Sequence, residues 1–408
     1  MLAKQFIEIN LPASKSIVNR LLIIEKLSGK NIVEKKDISC DDAKVLSQAL
    51  NSKKCRFNVK LSGTAMRFMT AFLAQKKGKW TLTGLKSLQM RPVGELVEFL
   101  KMLGAEIYYL KKEGFLPLKI IGKKLCSATL EIENPQSSQT VSALMLIAPM
   151  LDNGLTIRLK NISSFPYVLL TKKIMEDCGA KLEFSDNIIK IFPQKFSPEK
   201  FPIEADWSAA AFWYAYAAVS DTEPTVLNNL FSNSYQPDSV VKDIFKEFGV
   251  ISDLNAGKSG FNKIILKKNP RKSALSAASV FKYNFKNNPD LVPALSVTCC
   301  ANNIKFVFSG VKNLKIKECN RLSALVCELR KCGFNVKNSS DFLFWNGKKC
   351  NPQNPVKIET YNDHRIAMAF AILSQKIDLE ILNPQVVKKS YYGFWRDLNM
   401  KNCLNFRK

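Results

Sequence analysis

Six times along this chain a short polar or glycine-containing segment runs into an apolar helix, and that recurrence limits the fold more than any single residue does. The segments are SKSIVNRLLIIEKL (14–27), SGTAMRFMTAFLA (62–74), SSQTVSALMLIAPM (137–150), DWSAAAFWYAYAAV (206–219), PDLVPALSVTCCA (289–301) and NDHRIAMAFAIL (362–373). β-like stretches such as WTLTGL, LTIRLKNI, IKFVFSGV and LEILNP follow them. Four amphipathic segments come next, VGELVEFLKMLGA, YVLLTKKIMEDCGA, DSVVKDIFKEFGV and ECNRLSALVCELRKCGF. Each reaches a Gly, as a left-handed helix cap requires. Strand pairs such as AEIYYL with LPLKII close a unit. A strand–helix–strand–helix–strand–strand unit of about 50 to 85 residues, repeated, predicts an α/β protein built from subdomains. Three units on each side of a midpoint near residue 205 predict two similar domains. One is 14–205; the other is discontinuous, 1–13 with 206–408, so the chain crosses twice between them.

The chemistry of such a chain lies at its helix starts. In LPASKSIVNR, Pro12 breaks the strand-like FIEIN, and Ser14 or Ser16 can cap a helix that carries Lys15 in its first turn and Arg20 in its second. A helix start offers unpaired N–H groups and a partial positive charge, so two added cations make it a site for phosphate or carboxylate. The other five starts bring Ser62–Gly63–Thr64, Ser137–Ser138–Gln139, Asp206, Asp290 and Asp363–His364–Arg365. If several converge they frame a cavity of N–H donors and cations suited to a polyanionic substrate.

Composition narrows the partners without choosing one. The chain has 408 residues, 46% hydrophobic and 24% charged, with a formal net charge of +26. That charge favours acidic partners, but the lysines are spread along the chain and interleaved with Asn, with few clusters such as KNPRK (268–272). The longest apolar run, AAAFWYAYAAV, is too short to span a bilayer, and MLAKQFIEIN lacks the apolar core of a signal peptide. Eleven scattered cysteines, with no CxxC, indicate neither a disulfide framework nor zinc. Most therefore read as small core residues of a cytoplasmic protein.

Three further stretches concentrate charge. RPVGEL places Arg91 just before a helix, with Pro92 in its first turn. KIKECNR gathers Lys317, Glu318 and Arg321, and Lys317 and Arg321, four apart, share a helix face. YNDHR holds the one histidine of the chain, His364, beside Arg365. No GxGxxG or GxxxxGK phosphate loop occurs, and a single His gives no metal cluster. Many cations, one or two carboxylates and no cofactor motif point to transfer chemistry between small phosphorylated molecules.

LPASKSIVNR, SGTAMRF, RPVGEL, SSQTVSALM, NPDLVPALSVT, KIKECNRL, YNDHRIAMA and VVKKSYYGFW resemble, in this order, the signature segments of the 3-phosphoshikimate 1-carboxyvinyltransferase (5-enolpyruvylshikimate-3-phosphate synthase) family. The likeness runs from about residue 7 to 400. It implies a two-domain inside-out α/β barrel, three βαβαββ repeats per domain, with the active site in the interdomain cleft. It implies enolpyruvyl transfer from phosphoenolpyruvate to the 5-hydroxyl of shikimate-3-phosphate, with phosphate released and no metal or organic cofactor. By the same resemblance Lys15, Ser16, Arg20, Ser137, Ser138, Gln139, Ser164, Tyr167, Asp290, Asn313 and Lys317 hold shikimate-3-phosphate. Lys15, Gly63, Thr64, Arg91, Gln139, Arg321, Arg365 and Lys389 hold phosphoenolpyruvate. Asp290, Glu318, Lys15 and His364 are the catalytic set, with Asp290 taking the hydroxyl proton and Glu318 protonating the methylene carbon.

This sequence departs from the family pattern at Leu61, where an Asn is usual, and at Cys319 and Asn320 within KECNR. Ser164–Phe165–Pro166–Tyr167 replaces SKPY, and KSYYGF replaces KSYPGF. Two other readings compete. A UDP-N-acetylglucosamine enolpyruvyl transferase would share the repeats but relies on a loop Cys, and here Gln89 and Met90 precede Arg91. A non-catalytic basic nucleic-acid-binding protein would need aromatics interleaved on a basic stripe. The preferred reading is a cytoplasmic, monomeric enzyme of small anionic substrates, without nucleic acid or membrane partners.

Overall fold

The computed structural model describes residues 7–220, 224–256, 262–269, 273, 275 and 278–402. The chain divides into two compact units, Lys15–Ile203 and Met1–Ser14 together with Glu204–Lys408.

In the Lys15–Ile203 unit, two four-stranded sheets share one wiring. Arg56–Asn58 runs parallel to Gly78–Thr83, which pairs antiparallel with Leu118–Gly122, itself antiparallel to Glu106–Tyr109. Thr129–Glu133, Leu155–Lys160, Ile188–Ile191 and Leu182–Ser185 repeat that arrangement. The helices Lys15–Ser28, Gly63–Gln75 and Ser138–Ile147 pack against one another inside the unit. Burial along Gly63–Gln75 spares only Thr64 and Gln75, and along Ser138–Ile147 only Gln139. A helix surrounded on all sides must be apolar all round, as these sequences are. The few polar positions left on them are therefore conspicuous.

The other unit repeats the plan. Ile7–Asn10 runs parallel to Thr225–Leu230, followed by Asn262–Lys268 and Val250–Ala256 in antiparallel pairs. Val280–Asn284, Lys305–Ser309, Phe342–Trp345 and Lys337–Asn338 form the second sheet of this kind. Its central helices are Trp207–Val219, Val292–Ala301 and His364–Leu373, the last buried along its whole length.

Helices inside and sheets outside match the expected architecture, but two of the six expected units are abbreviated. Residues 15–55 form the helices Lys15–Ser28 and Asp41–Asn51 without a strand. The unit around residue 360 keeps one short parallel pair, Lys357–Ile358 with Glu380–Ile381. NIVEKKDIS and NPVKIET are too short or too charged to offer the alternation that a longer strand needs. Half of the ten described cysteines are buried, fewer than expected, and all ten are free thiols.

The predicted glycine caps recur in detail. Gly104, Gly179, Gly249 and Gly333 have φ of +89°, +82°, +76° and +90°. In each case the next residue's N–H reaches back five positions: Ala105 to Leu100, Ala180 to Met175, Val250 to Phe245 and Phe334 to Leu329. That is the Schellman closure, satisfying carbonyls that the helix end leaves open. One local expectation is corrected. Val93, not Pro92, precedes the Gly94–Met102 helix, and the Pro92 carbonyl instead accepts from Arg67 at 3.0 Å. The Ser14 hydroxyl donates to Gln236 Oε1 at 2.8 Å. The two passages of chain between the units start side by side: Ser14 N–H bonds the Glu204 carbonyl and Asp206 N–H the Pro12 carbonyl, each at 2.9 Å.

Candidate functional site

Each unit carries one cluster of the expected residues. In Lys15–Ile203 the cluster is built on the starts of the central helices. Arg20 is 2% exposed and donates to Thr171 Oγ1 at 2.7 Å, the Ser16 carbonyl at 2.8 Å, Ser142 Oγ at 3.1 Å and the Tyr167 carbonyl at 3.2 Å. All are neutral oxygens, and among the described residues no carboxylate pairs with it. Burial lowers its pKa to about 10, so it stays charged at neutral pH. A buried cation without an anion is costly, and a bound phosphate or carboxylate would supply the missing charge. Lys15, at the helix start, lies 3.3 Å from Asp42 Oδ2.

A second group forms on the neighbouring helix starts. Gln139 Nε2 donates to Thr64 Oγ1 at 2.9 Å, and its Oε1 accepts from Arg67 at 3.2 Å. Ser137 caps its helix by accepting from the Gln139 N–H, and Ser138 is the buried first residue. Arg91 lies directly on Gly63: a Cβ there would be 2.5 Å from Arg91 Nη1. Glu95, from RPVGEL, accepts from Gln136 N and Thr140 Oγ1, tying its helix to the Ser137 cap. Ser164 is buried with φ +58°, and its carbonyl accepts from Tyr167 N at 3.0 Å. The Tyr167 carbonyl in turn meets Arg20, which draws that turn to the cluster.

The cluster of the other unit is an ion network. Arg321, 1% exposed, reaches Asp363 at 2.6 Å, Glu318 at 2.6 Å and Asp290 at 2.8 Å. Arg365 donates to the other oxygen of Asp290 at 2.9 Å, Lys317 stands 3.5 Å from Asp290, and Lys389 stands 3.3 Å from Glu318. Asp363 also caps its helix by accepting from Arg365 N at 2.9 Å. His364 is 1% exposed with Nδ1 3.9 Å from Asp363. Asn313 lies on the 3-10 turn Lys312–Ile316 that leads into Lys317. Burial alone would push the Asp290 carboxyl up, but Arg365, Lys317 and Arg321 together hold it well below the usual carboxylate range. The opposite balance governs Asp238. Burial and the charge of Asp290 push it up to about 6, against Arg365 and a hydrogen bond from Ser208.

Sequence reasoning missed Asp42, Arg67 and Asp238. Arg67 lay inside SGTAMRF, an arginine amid apolar helix positions, which is a readable signal. Asp42 and Asp238 carry none: CDDAK reads as an ordinary acidic helix start, and QPDS reads as a turn. Among the described residues no group of three His, Cys, Asp or Glu side chains is placed to hold a metal ion.

Comparison with known proteins gives one consistent result. Residues 1–398 match the family model described as EPSP synthase (3-phosphoshikimate 1-carboxyvinyltransferase). A 3-phosphoshikimate 1-carboxyvinyltransferase of Bacteroides fragilis is 41% identical over 394 residues, 96% of this chain and 94% of that protein. That of Buchnera aphidicola is 32% identical over 96% of this chain and 93% of its own length. The EPSP synthase structure from Acinetobacter baumannii superposes with a TM-score of 0.73 at 20% identity, covering 97% of this chain and 95% of that one. The enolpyruvyl transferase NikO from Streptomyces tendae gives 0.69 at 13% identity, covering 97% and 94%.

Proposed function

This chain belongs to the EPSP synthase family, and on that premise we propose that its two clusters divide the binding and proton-transfer work of one reaction. The reaction is transfer of the enolpyruvyl group of phosphoenolpyruvate to the 5-hydroxyl of shikimate-3-phosphate, with release of phosphate, in the shikimate pathway of aromatic amino acid synthesis. The alternative transferase and the nucleic-acid-binding reading are set aside by that membership.

In this reading Lys15, Ser16, Arg20, Ser137, Ser138, Gln139, Ser164 and Tyr167 bind shikimate-3-phosphate, joined by Asp290, Asn313 and Lys317. The buried, uncompensated Arg20 supports the assignment most directly, since a phosphate would satisfy it. Gly63, Thr64, Arg91, Arg321, Arg365 and Lys389 bind phosphoenolpyruvate, with Lys15 and Gln139 shared. The 5-hydroxyl adds to C2 of phosphoenolpyruvate as Asp290 accepts its proton and Glu318 delivers one to the methylene carbon. The resulting tetrahedral adduct loses phosphate as the Glu318 carboxylate takes a proton back from the new methyl group, restoring the double bond, and the departing phosphate receives the proton held by Asp290. Lys15 and the arginines stabilise charge gathering on the departing phosphate, and His364 stands beside Arg365 in the same set.

The single observation that carries this reading is the guanidinium of Arg321 bound to both Asp290 and Glu318. It places the proposed base and the proposed acid on one anchor. Free of substrate, Asp290 is held too acidic to be a strong base. Anionic groups of phosphoenolpyruvate would draw Arg321 and Arg365 away from it and raise its proton affinity as the substrate binds.

The reading further takes the enzyme as a cytoplasmic monomer acting on small anions. Among the described residues no helix is long and apolar enough to cross a membrane. Purified protein should release inorganic phosphate only with both shikimate-3-phosphate and phosphoenolpyruvate, without added metal. Release with a UDP-amino sugar in place of shikimate-3-phosphate, or with phosphoenolpyruvate alone, would overturn the assignment.

A further inference from the structure

Two successive non-glycine residues, Tyr361 and Asn362, have φ of +51° and +55°, in a turn closed by the Asp363 N–H on the Thr360 carbonyl at 2.8 Å. Left-handed backbone at both central positions is the pattern of a type I′ turn, where Asn is tolerated and a bulky Tyr is unusual. Such a conformation persists only where its surroundings over-determine it. Here they do, from three directions.

The first anchor is Glu328, fully buried on the Arg321–Lys331 helix. Its carboxylate accepts from the Tyr361 hydroxyl at 2.6 Å, from the Glu359 N–H at 3.1 Å and from Lys331 at 2.7 Å. Glu328 is seven residues, two turns, beyond Arg321, so the two share the buried face of one helix. The second anchor is Asn383, whose amide donates to Asn362 Oδ1 at 3.1 Å. Asn383 is itself left-handed, φ +52°, and caps the 3-10 segment Pro384–Lys389 that ends in Lys389. The third is Asp363, next in the chain, which grips Arg321 and caps the helix of Arg365. Arg321, Arg365 and Lys389 thus sit on three separate segments, and this one turn touches a residue of each.

Resting on the enolpyruvyl-transfer reading above, we propose that the Tyr361–Asn362 turn is a brace that fixes Arg321, Arg365 and Lys389 in one arrangement, with Glu328 and Tyr361 as positioning residues for the reaction. The Tyr361 hydroxyl reaches the Arg321 helix at Glu328, two turns beyond the Arg321–Asp363 pair. Burial and the neighbouring Glu328 carboxylate keep that phenol protonated, as a donor, across the working pH range. Removing the hydroxyl leaves Glu328 paired with Lys331 and the backbone, so the fold survives while the three cations lose their common reference.

Tyr361→Phe tests this. Its kcat should fall roughly 10- to 100-fold, the cost of a small misplacement of groups around a reacting centre. The KM for shikimate-3-phosphate should stay within about twofold, because that ligand's proposed contacts lie largely in the other cluster. The melting temperature should shift by only about 2–4 °C or less, the effect of one hydrogen bond in a unit of this size. Amide hydrogen exchange should quicken in 359–365 and in 384–390, with the Lys15–Ile203 unit unchanged. Glu328→Gln keeps a carbonyl oxygen for the phenol and should retain more kcat than Glu328→Ala. A native kcat together with native exchange in 384–390 would overturn the brace, as would loss of stability with kcat unchanged. If the unaltered enzyme releases no phosphate from the two substrates, the functional reading fails instead, and the exchange in 384–390 alone decides on the brace.

Discussion

Asp290 meets Arg321 at 2.8 Å through one carboxylate oxygen, while its other oxygen accepts from Arg365 at 2.9 Å. Each arginine is also tied to Asp363, Arg321 through its side chain and Arg365 through its N–H. The base proposed for the reaction is therefore neutralised until an anionic substrate competes for the same guanidinium groups. The cations around Asp290 hold the proposed base in check.

Asp290→Asn and Glu318→Gln should each lower kcat by roughly 10²–10⁴-fold. The geometry adds a sign for binding. Asp290→Asn removes the anion that faces Arg321, Arg365 and Lys317, so the KM for phosphoenolpyruvate should hold or fall. Steady-state kinetics with both substrates varied checks this. A near-native kcat would remove the substituted residue from the mechanism, and a raised KM for Asp290→Asn would contradict the competition described above.

Asp238 makes stability depend on pH in the opposite sense to Asp290. Its folded pKa, pushed up to about 6, lies above the unfolded carboxylate value near 3.8. The folded state therefore holds the extra proton between those values, and its contribution falls as pH rises from about 4 to 6. Asp290, held low, contributes stability above its unfolded value that is lost only as pH falls below about 3.8. Asp238→Asn should remove the upper transition and stabilise the protein more at pH 7 than at pH 4.5 in urea denaturation. An equal effect at both pH values would mean that Asp238 is ionised throughout.

A methyl group at Gly63 would stand 2.5 Å from Arg91 Nη1. The obstructed atom is the end of a flexible side chain, so Gly63→Ala should move Arg91 rather than disrupt the helix. Alanine also suits a helix better than glycine by about 1 kcal/mol. The melting temperature should hold or rise while the KM for phosphoenolpyruvate rises roughly 10-fold, the loss of one charged hydrogen bond. An unchanged KM would separate Arg91 from that substrate.

Leu61 stands where the family resemblance leads one to expect an Asn. The neighbouring Ser62 hydroxyl is buried and accepts from the Ala65 N–H as the helix cap. Leu61→Asn should therefore lower the KM for phosphoenolpyruvate by about 3-fold or more, within the range of a hydrogen bond to a charged group. The KM for shikimate-3-phosphate should move much less. A lower melting temperature with an unchanged phosphoenolpyruvate KM would show that Leu61 only fills an apolar gap.

How legible all this was in the sequence follows from the range over which each feature is determined. The caps at Gly104, Gly179, Gly249 and Gly333 depend on five or six consecutive residues and could be read directly. The central helices were legible because complete burial demands an unbroken apolar run, as in AAAFWYAYAAV. Pairings between distant residues were not. Nothing near Lys15 announces Asp42, and nothing near Arg321 announces that Asp363, forty-two positions on, will hold it at 2.6 Å. The resemblance supplied the identities of the site residues but not their partners. Asp238 is elevated by burial and by Asp290, fifty-two positions away, against the opposing charge of Arg365, one hundred and twenty-seven positions away, and no local pattern encodes that.

The side-by-side passages at Ser14–Glu204 and Pro12–Asp206 have a consequence for synthesis on the ribosome. Ile7–Asn10 pairs with Thr225–Leu230, so this strand has no partner until the chain has grown past residue 230. Every segment of Lys15–Ile203 emerges earlier and can close on its own contacts, as domains made first tend to do. During that interval the waiting strand exposes an edge only four residues long, too short to invite much mispairing. Ile7–Asn10, translated before all of Lys15–Ile203, thus finds its place after it.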